Sequence, residues 1–179
     1  MDMEPRTIVL AGGCFWGVEK YLSEIPGVLR TEVGYANGAT ANPTYEQVCR
    51  AGTGHSEAVL VEYDPTQVTL PFLLELFYQV IDPTSVNRQG NDVGEQYRTG
   101  IYYTEPADLP AIQDSLRKLQ AAHSQPLAIE VGPLENYYPA EAYHQQYLDK
   151  NPGGYCHIPP SAFAAAKQAI DPSRAAASA

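Results

Sequence analysis

Between its second and third β-type runs, residues 28–35 and 56–63, this chain carries only a loop and a short helical patch. That connection constrains the fold more than any other feature. Parallel neighbours in one sheet need a long crossover, usually a full helix. The rest of the order is clear from periodicity. Residues 7–11 are a β-branched, apolar run, after which Val18, Tyr21, Leu22 and Ile25 recur at helical spacing until Pro26-Gly27. Residues 36–44 are a loop rich in Asn, Gly and Pro, and 45–50 a short helix broken by Gly52-Thr53-Gly54. Leu70, Leu73, Leu74, Phe77 and Ile81 mark one face of a helix that begins near Pro71 and closes at Asp82-Pro83. A polar loop over 83–97 precedes a strand at 98–103, a helix with Leu109, Ile112, Leu116 and Leu119 inward, and a strand at 127–131. Residues 138–150 are expected to be helical in part. The order β-α-β, β-α-β, α-β predicts an α/β (α+β) two-layer sandwich, with helices packed on one face of a mixed sheet. A doubly wound parallel sheet is the alternative that the missing crossover disfavours.

With 179 residues the chain is expected to form a single catalytic domain, 1–179. From residue 162 it is alanine-rich with little to bury, so 162–179 is expected to be a mobile tail. The net charge of −10 argues against nucleic acid, which needs a basic footprint, and against an anionic membrane surface. No stretch is long and apolar enough to span a bilayer, and residues 1–7 are not a signal peptide, so the expected location is cytoplasmic. Cys14, Cys49 and Cys156 form no C-x-x-C pair and, with His55, His123, His144 and His157, no zinc spacing. Free thiols are the expectation, with no metal.

The chemistry centres on Gly12-Gly13-Cys14-Phe15-Trp16-Gly17. Cys14 falls at a strand-to-helix turn, where free N–H groups and the helix dipole favour a thiolate. A lone cysteine is commonly inert packing. The flanking glycines leave the backbone open to another molecule and favour a reactive thiol, with Phe15 and Trp16 as an aromatic pocket. The stretch lacks the spacing of a phosphate-binding loop. Glu57, after Gly54-His55-Ser56, can act as a proton donor if buried, and is otherwise an ordinary strand residue. Tyr35 and Tyr97 offer hydroxyls, Asp92 can orient a neighbour or a water, and His55 is better suited to a local hydrogen bond. Cys156 follows Gly153-Gly154-Tyr155, a segment expected to move, and can meet an oxidised cysteine; Cys49 reads as packing.

Gly13-Cys14-Phe15-Trp16-Gly17-Val18-Glu19 resembles the signature of the peptide methionine sulfoxide reductase family, A type. Gly34-Tyr35, Gly54-His55-Ser56-Glu57-Ala58-Val59, Asp92-Val93-Gly94-Glu95-Gln96-Tyr97-Arg98, Ala140-Glu141-Ala142-Tyr143-His144-Gln145-Gln146-Tyr147-Leu148 and Asn151-Pro152-Gly153-Gly154-Tyr155-Cys156 look like the same family, in its order. The resemblance implies a ferredoxin-like sandwich that reduces methionine-S-sulfoxide, free or in oxidised proteins and peptides. It makes Cys14 the nucleophile, Glu57 the proton donor, and Tyr35 and Tyr97 the hydroxyls on the sulfoxide oxygen. Phe15 and Trp16 become the methyl pocket, and Asp92 places substrate or water. Cys156 resolves the oxidised Cys14, and thioredoxin, or dithiothreitol in vitro, is the reductant; no bound cofactor is implied. Many relatives carry a further cysteine near the C-terminus, and none follows Cys156 here. Ser56 and Glu95 also stand where relatives commonly have other residues. A peroxide sensor and a non-catalytic methyl-binding module are the rival expectations.

Overall fold

The structure, a computed structural model, describes residues 4–175. In chain order the elements are β1 (Arg6–Ala11), α1 (Phe15–Ser23), β2 (Val28–Ala36), α2 (Tyr45–Arg50), β3 (Ser56–Tyr63) and α3 (Leu70–Tyr78). A small hairpin, β4 (Arg88–Gln89) and β5 (Asp92–Val93), lies inside the long polar loop. There follow β6 (Gly100–Tyr103), α4 (Leu109–Ala121), β7 (Glu130–Pro133), β8 (Tyr137–Pro139), α5 (Tyr147–Lys150), α6 (Pro160–Gln168) and α7 (Pro172–Ala175).

The six-stranded sheet runs β7-β6-β1-β3-β2-β8. Its central four strands, β6-β1-β3-β2, are antiparallel neighbours, as two interleaved split β-α-β units require. Only β6 and β7 pair in parallel, which makes the sheet mixed. Thus β2 and β3 are antiparallel neighbours, and a loop with a short helix suffices between them.

Alternation divides the strands between two faces. Ile8 and Leu10, Val33 and Tyr35, Val59 and Val61, and Ile101 point toward the large core beneath α1, α3 and α4. Val9, Ala11, Ala36, Ala58 and Tyr102 form a thinner layer on the opposite face, covered by Leu134 and Tyr137. In α3, Thr69 accepts from Phe72 N–H as N-cap, while Asp171 holds Thr69 through its backbone N–H (2.8 Å) and hydroxyl (2.7 Å).

Residues 138–150 are helical in part, as expected: the end of β8 leads into the 3₁₀ turn Ala142–His144 and the single turn of α5. This stretch is stitched onto β2 by side chains. Gln145 exchanges both amide bonds with Val33, at 3.0 and 2.9 Å, and Glu19 accepts from Gln146 N–H at 2.8 Å. The alanine-rich end is not short of things to bury. Ala166 is 1% exposed, Ala162 and Phe163 pack on the core, and Lys20 lies 5.6 Å over the Phe163 ring. Small side chains let α6 approach α1 closely. Residues 176–179 of the expected tail lie outside the described residues.

Candidate active site

Cys14 is the N-cap of α1, at the end of the turn leaving β1. Gly13 holds φ +85, and a Cβ there would come within 2.6 Å of Gln89, so the turn needs glycine for both conformation and room. Glu57 and Tyr35 are directly paired across β3 and β2, on the face that α1 covers. The antiparallel register therefore brings the carboxyl under the start of the helix.

Glu57 is 1% exposed. Its Oε1 accepts from the Phe15 N–H at 3.2 Å, one of the free N–H groups of the first helical turn, while its Oε2 is buried with no partner. Burial pushes its pKa up to about 8, against the Phe15 N–H, with the charge of Asp92 adding to the rise. At neutral pH the carboxyl is protonated.

The thiol differs from expectation. Burial first, and the charge of Glu57 second, push the Cys14 pKa up, although the Trp16 backbone N–H at the helix start pulls it down. With 7% exposure, desolvation outweighs the helix dipole, so the resting group is a thiol and not a standing thiolate.

Around this pair lie Phe15, 1% exposed, with its ring 5.8 Å from Tyr35, 6.5 Å from Tyr45 and 5.2 Å from His144. Trp16 donates its indole N–H to His144 Nδ1 at 2.9 Å and stacks on Tyr147, centroids 3.8 Å apart. The phenol of Tyr97, on the 3₁₀ turn Glu95–Tyr97, is pushed up by burial and then by the charges of Glu57, Cys49, Asp92 and Cys14. Asp92 is pushed up by burial, opposed by Tyr155 and His157; its Oδ2 is buried without a partner.

Tyr35 departs from its expected role. It is wholly buried, and its hydroxyl donates its one proton to Glu141 Oε1 at 2.7 Å. Glu141 Oε2 in turn accepts from the Tyr45 N–H at 2.9 Å, which ties α2 to this corner. The hydroxyl better placed beside Tyr97 is that of Tyr45: after burial, Glu57 is the strongest influence on both phenols. Reasoning from sequence missed a role for Tyr45, and it has Glu141, His144 and Tyr147 only as part of the family motif, with no role for any of them. The available signal was the Asn42-Pro43-Thr44-Tyr45 turn, where Thr44 builds a capping box with Gln47 and so places Tyr45 at the first helical position.

Cys14, Cys49 and Cys156 are free thiols. Cys156 does not float: its sulfur accepts from the Ile158 N–H at 3.3 Å and lies against Gly17, where an added Cβ would approach it to 2.7 Å. A glycine inside a nine-residue helix, unfavourable by ~1 kcal/mol relative to alanine, thus makes the seat for the second thiol. A cleft of about 640 Å³ between α3 and α4 includes none of these residues. No helix among the described residues is long and apolar enough to cross a membrane, and none of them form a cluster of three or more ligand-type side chains able to hold a metal.

Residues 6–174 match the family model of peptide methionine sulfoxide reductase. The chain belongs to that family. It is an oxidoreductase of the A type: the peptide methionine sulfoxide reductase MsrA of Lachnoclostridium phytofermentans is 60% identical over 164 residues, covering 92% of this chain and 99% of the relative. Among solved structures, reduced Mxr1 of Saccharomyces cerevisiae matches with TM-score 0.81 and 38% identity, over 86% of this chain and 89% of that one. Methionine sulfoxide reductase A of Corynebacterium diphtheriae matches with TM-score 0.77 and 43% identity, over 87% and 83%. The structure of Mxr1 with Trx2 shares the fold at TM-score 0.58 and 24% identity, over 82% of this chain and 89% of that one. The mixed sheet with helices packed on it is therefore the fold of the reductase family as well as the sandwich expected from element order.

Proposed function

We propose that this reductase takes the S epimer of methionine sulfoxide, free or in peptides and oxidised proteins, and returns methionine through Cys14 and Glu57. The observation that carries the reading is the Glu57 carboxyl: buried, protonated at neutral pH, fixed by one oxygen and unpartnered at the other, beside the Cys14 thiol. A sulfoxide needs a nucleophile at sulfur and a proton at oxygen. Glu57 Oε2 gives its proton to the sulfoxide oxygen and takes up the proton of Cys14 as the sulfur attacks. Oxygen passes to Cys14, methionine leaves, and Cys14 is a sulfenic acid. A neutral resting thiol suits this exchange, because the thiolate forms only as the acid beside it is spent.

Tyr45 and Tyr97 supply hydroxyls for the charge building on oxygen. Phe15 and Trp16 wall the space for the S-methyl group and exclude water. Asp92 helps orient the substrate or a water. The sulfur of Cys156 then attacks the Cys14 sulfur and the hydroxyl leaves as water, giving the disulfide. A dithiol partner reduces it by exchange and is itself oxidised. Thioredoxin is the proposed partner, supported by the complex recorded for Mxr1.

Product analysis tests the whole reading. Methionine forms from an S-sulfoxide peptide with dithiothreitol, then with thioredoxin; equal use of the R epimer would overturn the stereochemical assignment. Cys156→Ser should release one methionine per protein and then stall with thioredoxin, and normal cycling would remove Cys156 from the pathway. Between the tyrosines, Tyr45→Phe should lower kcat by roughly ten- to a hundredfold, as loss of an oxyanion donor does. Tyr35→Phe should change kcat by less than about threefold and act on stability, by ~1 kcal/mol for a lost buried hydrogen bond. The reverse ranking in steady-state assays would return the role to Tyr35.

A further inference from the structure

His144 is wholly buried in a ring cluster, with centroids 4.0 Å from Tyr143, 4.5 Å from Tyr45, 5.2 Å from Phe15 and 5.7 Å from Trp16. Its Nδ1 accepts the Trp16 indole N–H at 2.9 Å. An accepting Nδ1 carries no proton, so the neutral ring is the Nε2–H tautomer. That Nε2 is buried and has no partner. A buried N–H left unpaired costs ~1–3 kcal/mol, and such a group in a folded protein calls for an explanation.

We propose that His144 is a positioning residue that determines specificity: as the Nε2–H tautomer it locks the indole of Trp16 by its edge while Tyr147 holds a face, which sets the width of the S-methyl pocket. The lock reaches across 128 residues, from the first turn of α1 to the 3₁₀ turn Ala142–His144. That turn is itself held to β2 and α1 through Gln145 on Val33 and Gln146 on Glu19. Indole has a single N–H and several ring orientations of similar packing; one directed acceptor selects among them where apolar contact cannot. Burial also keeps His144 neutral by lowering its pKa, against the charge of Glu141.

The inference rests on Trp16 lining the methyl pocket, and the test separates the two. Trp16 is the sole tryptophan of the chain, so fluorescence excited at the red edge of the absorption band, where tyrosines do not absorb, reports on this ring alone. His144→Leu removes the acceptor and keeps an apolar side chain. It should shift the Trp16 emission and raise KM for an S-methyl sulfoxide peptide about tenfold, the worth of one hydrogen bond, with kcat within about twofold. The preference for S-methyl over S-ethyl sulfoxide should fall by a similar factor. His144→Asn, whose amide oxygen can accept the indole N–H, should restore all three toward the parent. In Trp16→Phe protein, which lacks the donor, His144→Leu should add nothing further to KM. This cycle keeps the test sharp if the leucine variant is less stable.

Unmoved emission, equal penalties for Leu and Asn, or additive effects in the Trp16→Phe background would each overturn the lock. A moved emission with unchanged methyl-to-ethyl preference would overturn the specificity role, because the Trp16 wall then lies outside the methyl pocket.

Discussion

Cys14→Ser protein releases no measurable methionine, a loss of at least ~10⁴-fold, with dithiothreitol or thioredoxin alike. The substitution changes one atom of a side chain that is 7% exposed, so the fold and the ring cluster about it stay in place. What is lost is a nucleophile soft enough to attack a sulfoxide sulfur and able to carry oxygen away as a sulfenic acid. A serine hydroxyl, ionised with far more difficulty than a thiol, does neither. Chromatography of the released methionine gives the rate. The Trp16 emission on adding substrate shows that binding persists. Residual turnover within a hundredfold of the parent would mean that another thiol, Cys49 or Cys156, does the chemistry.

Glu57→Gln carries the second large effect: kcat falls on the order of 10²-fold or more, the contribution of a general acid. Glutamine keeps the shape and the acceptor for the Phe15 N–H, so the loss isolates the proton at Oε2. The same variant has a stability signature of opposite sign. Folding raises the Glu57 pKa from 4.5 to about 8, so between those values the folded state binds a proton that the unfolded state has lost. Stability from this group is present below pH 4.5 and drains away as pH rises through 8. Relative to the parent, the glutamine variant should therefore gain roughly 1.4 kcal/mol per pH unit across that window. Urea unfolding of both proteins at pH 5 and pH 7.5 measures it, and a constant difference would mean that Glu57 is not desolvated in the folded state.

Much of this site was visible in the order and alternation of residues. The apolar run ending at Ala11, the glycines and the helical spacing from Val18 place Cys14 at a turn without any structure. The missing crossover before Ser56 implies that β2 and β3 are neighbours, which carries Glu57 next to Tyr35. Alternation could not say which tyrosine hydroxyl is taken up by a carboxylate. That depends on Glu141, 106 residues from Tyr35, and on a turn whose shape is set by Gln145 and Glu19. A polar segment of this kind has no period of its own, because side chains rather than a backbone ladder hold it. The state of Cys14 escaped for a related reason. The helix start that favours a thiolate is local and legible, whereas the burial that outweighs it comes from packing by distant elements. Alanine-rich α6 likewise has little surface per residue, yet small side chains suit a close approach to α1.

The mechanism needs a proton held by Glu57 beside a neutral Cys14, and the pH dependence of methionine formation in a single turnover tests it most directly. With reduced protein and an S-sulfoxide peptide, the rate should be level below pH 8 and fall about tenfold per unit above it, as Glu57 ionises. The Glu57→Gln protein should show no such break. A rate that climbs steadily through pH 8, or the same break in the glutamine variant, would contradict the assignment of Glu57 as the acid.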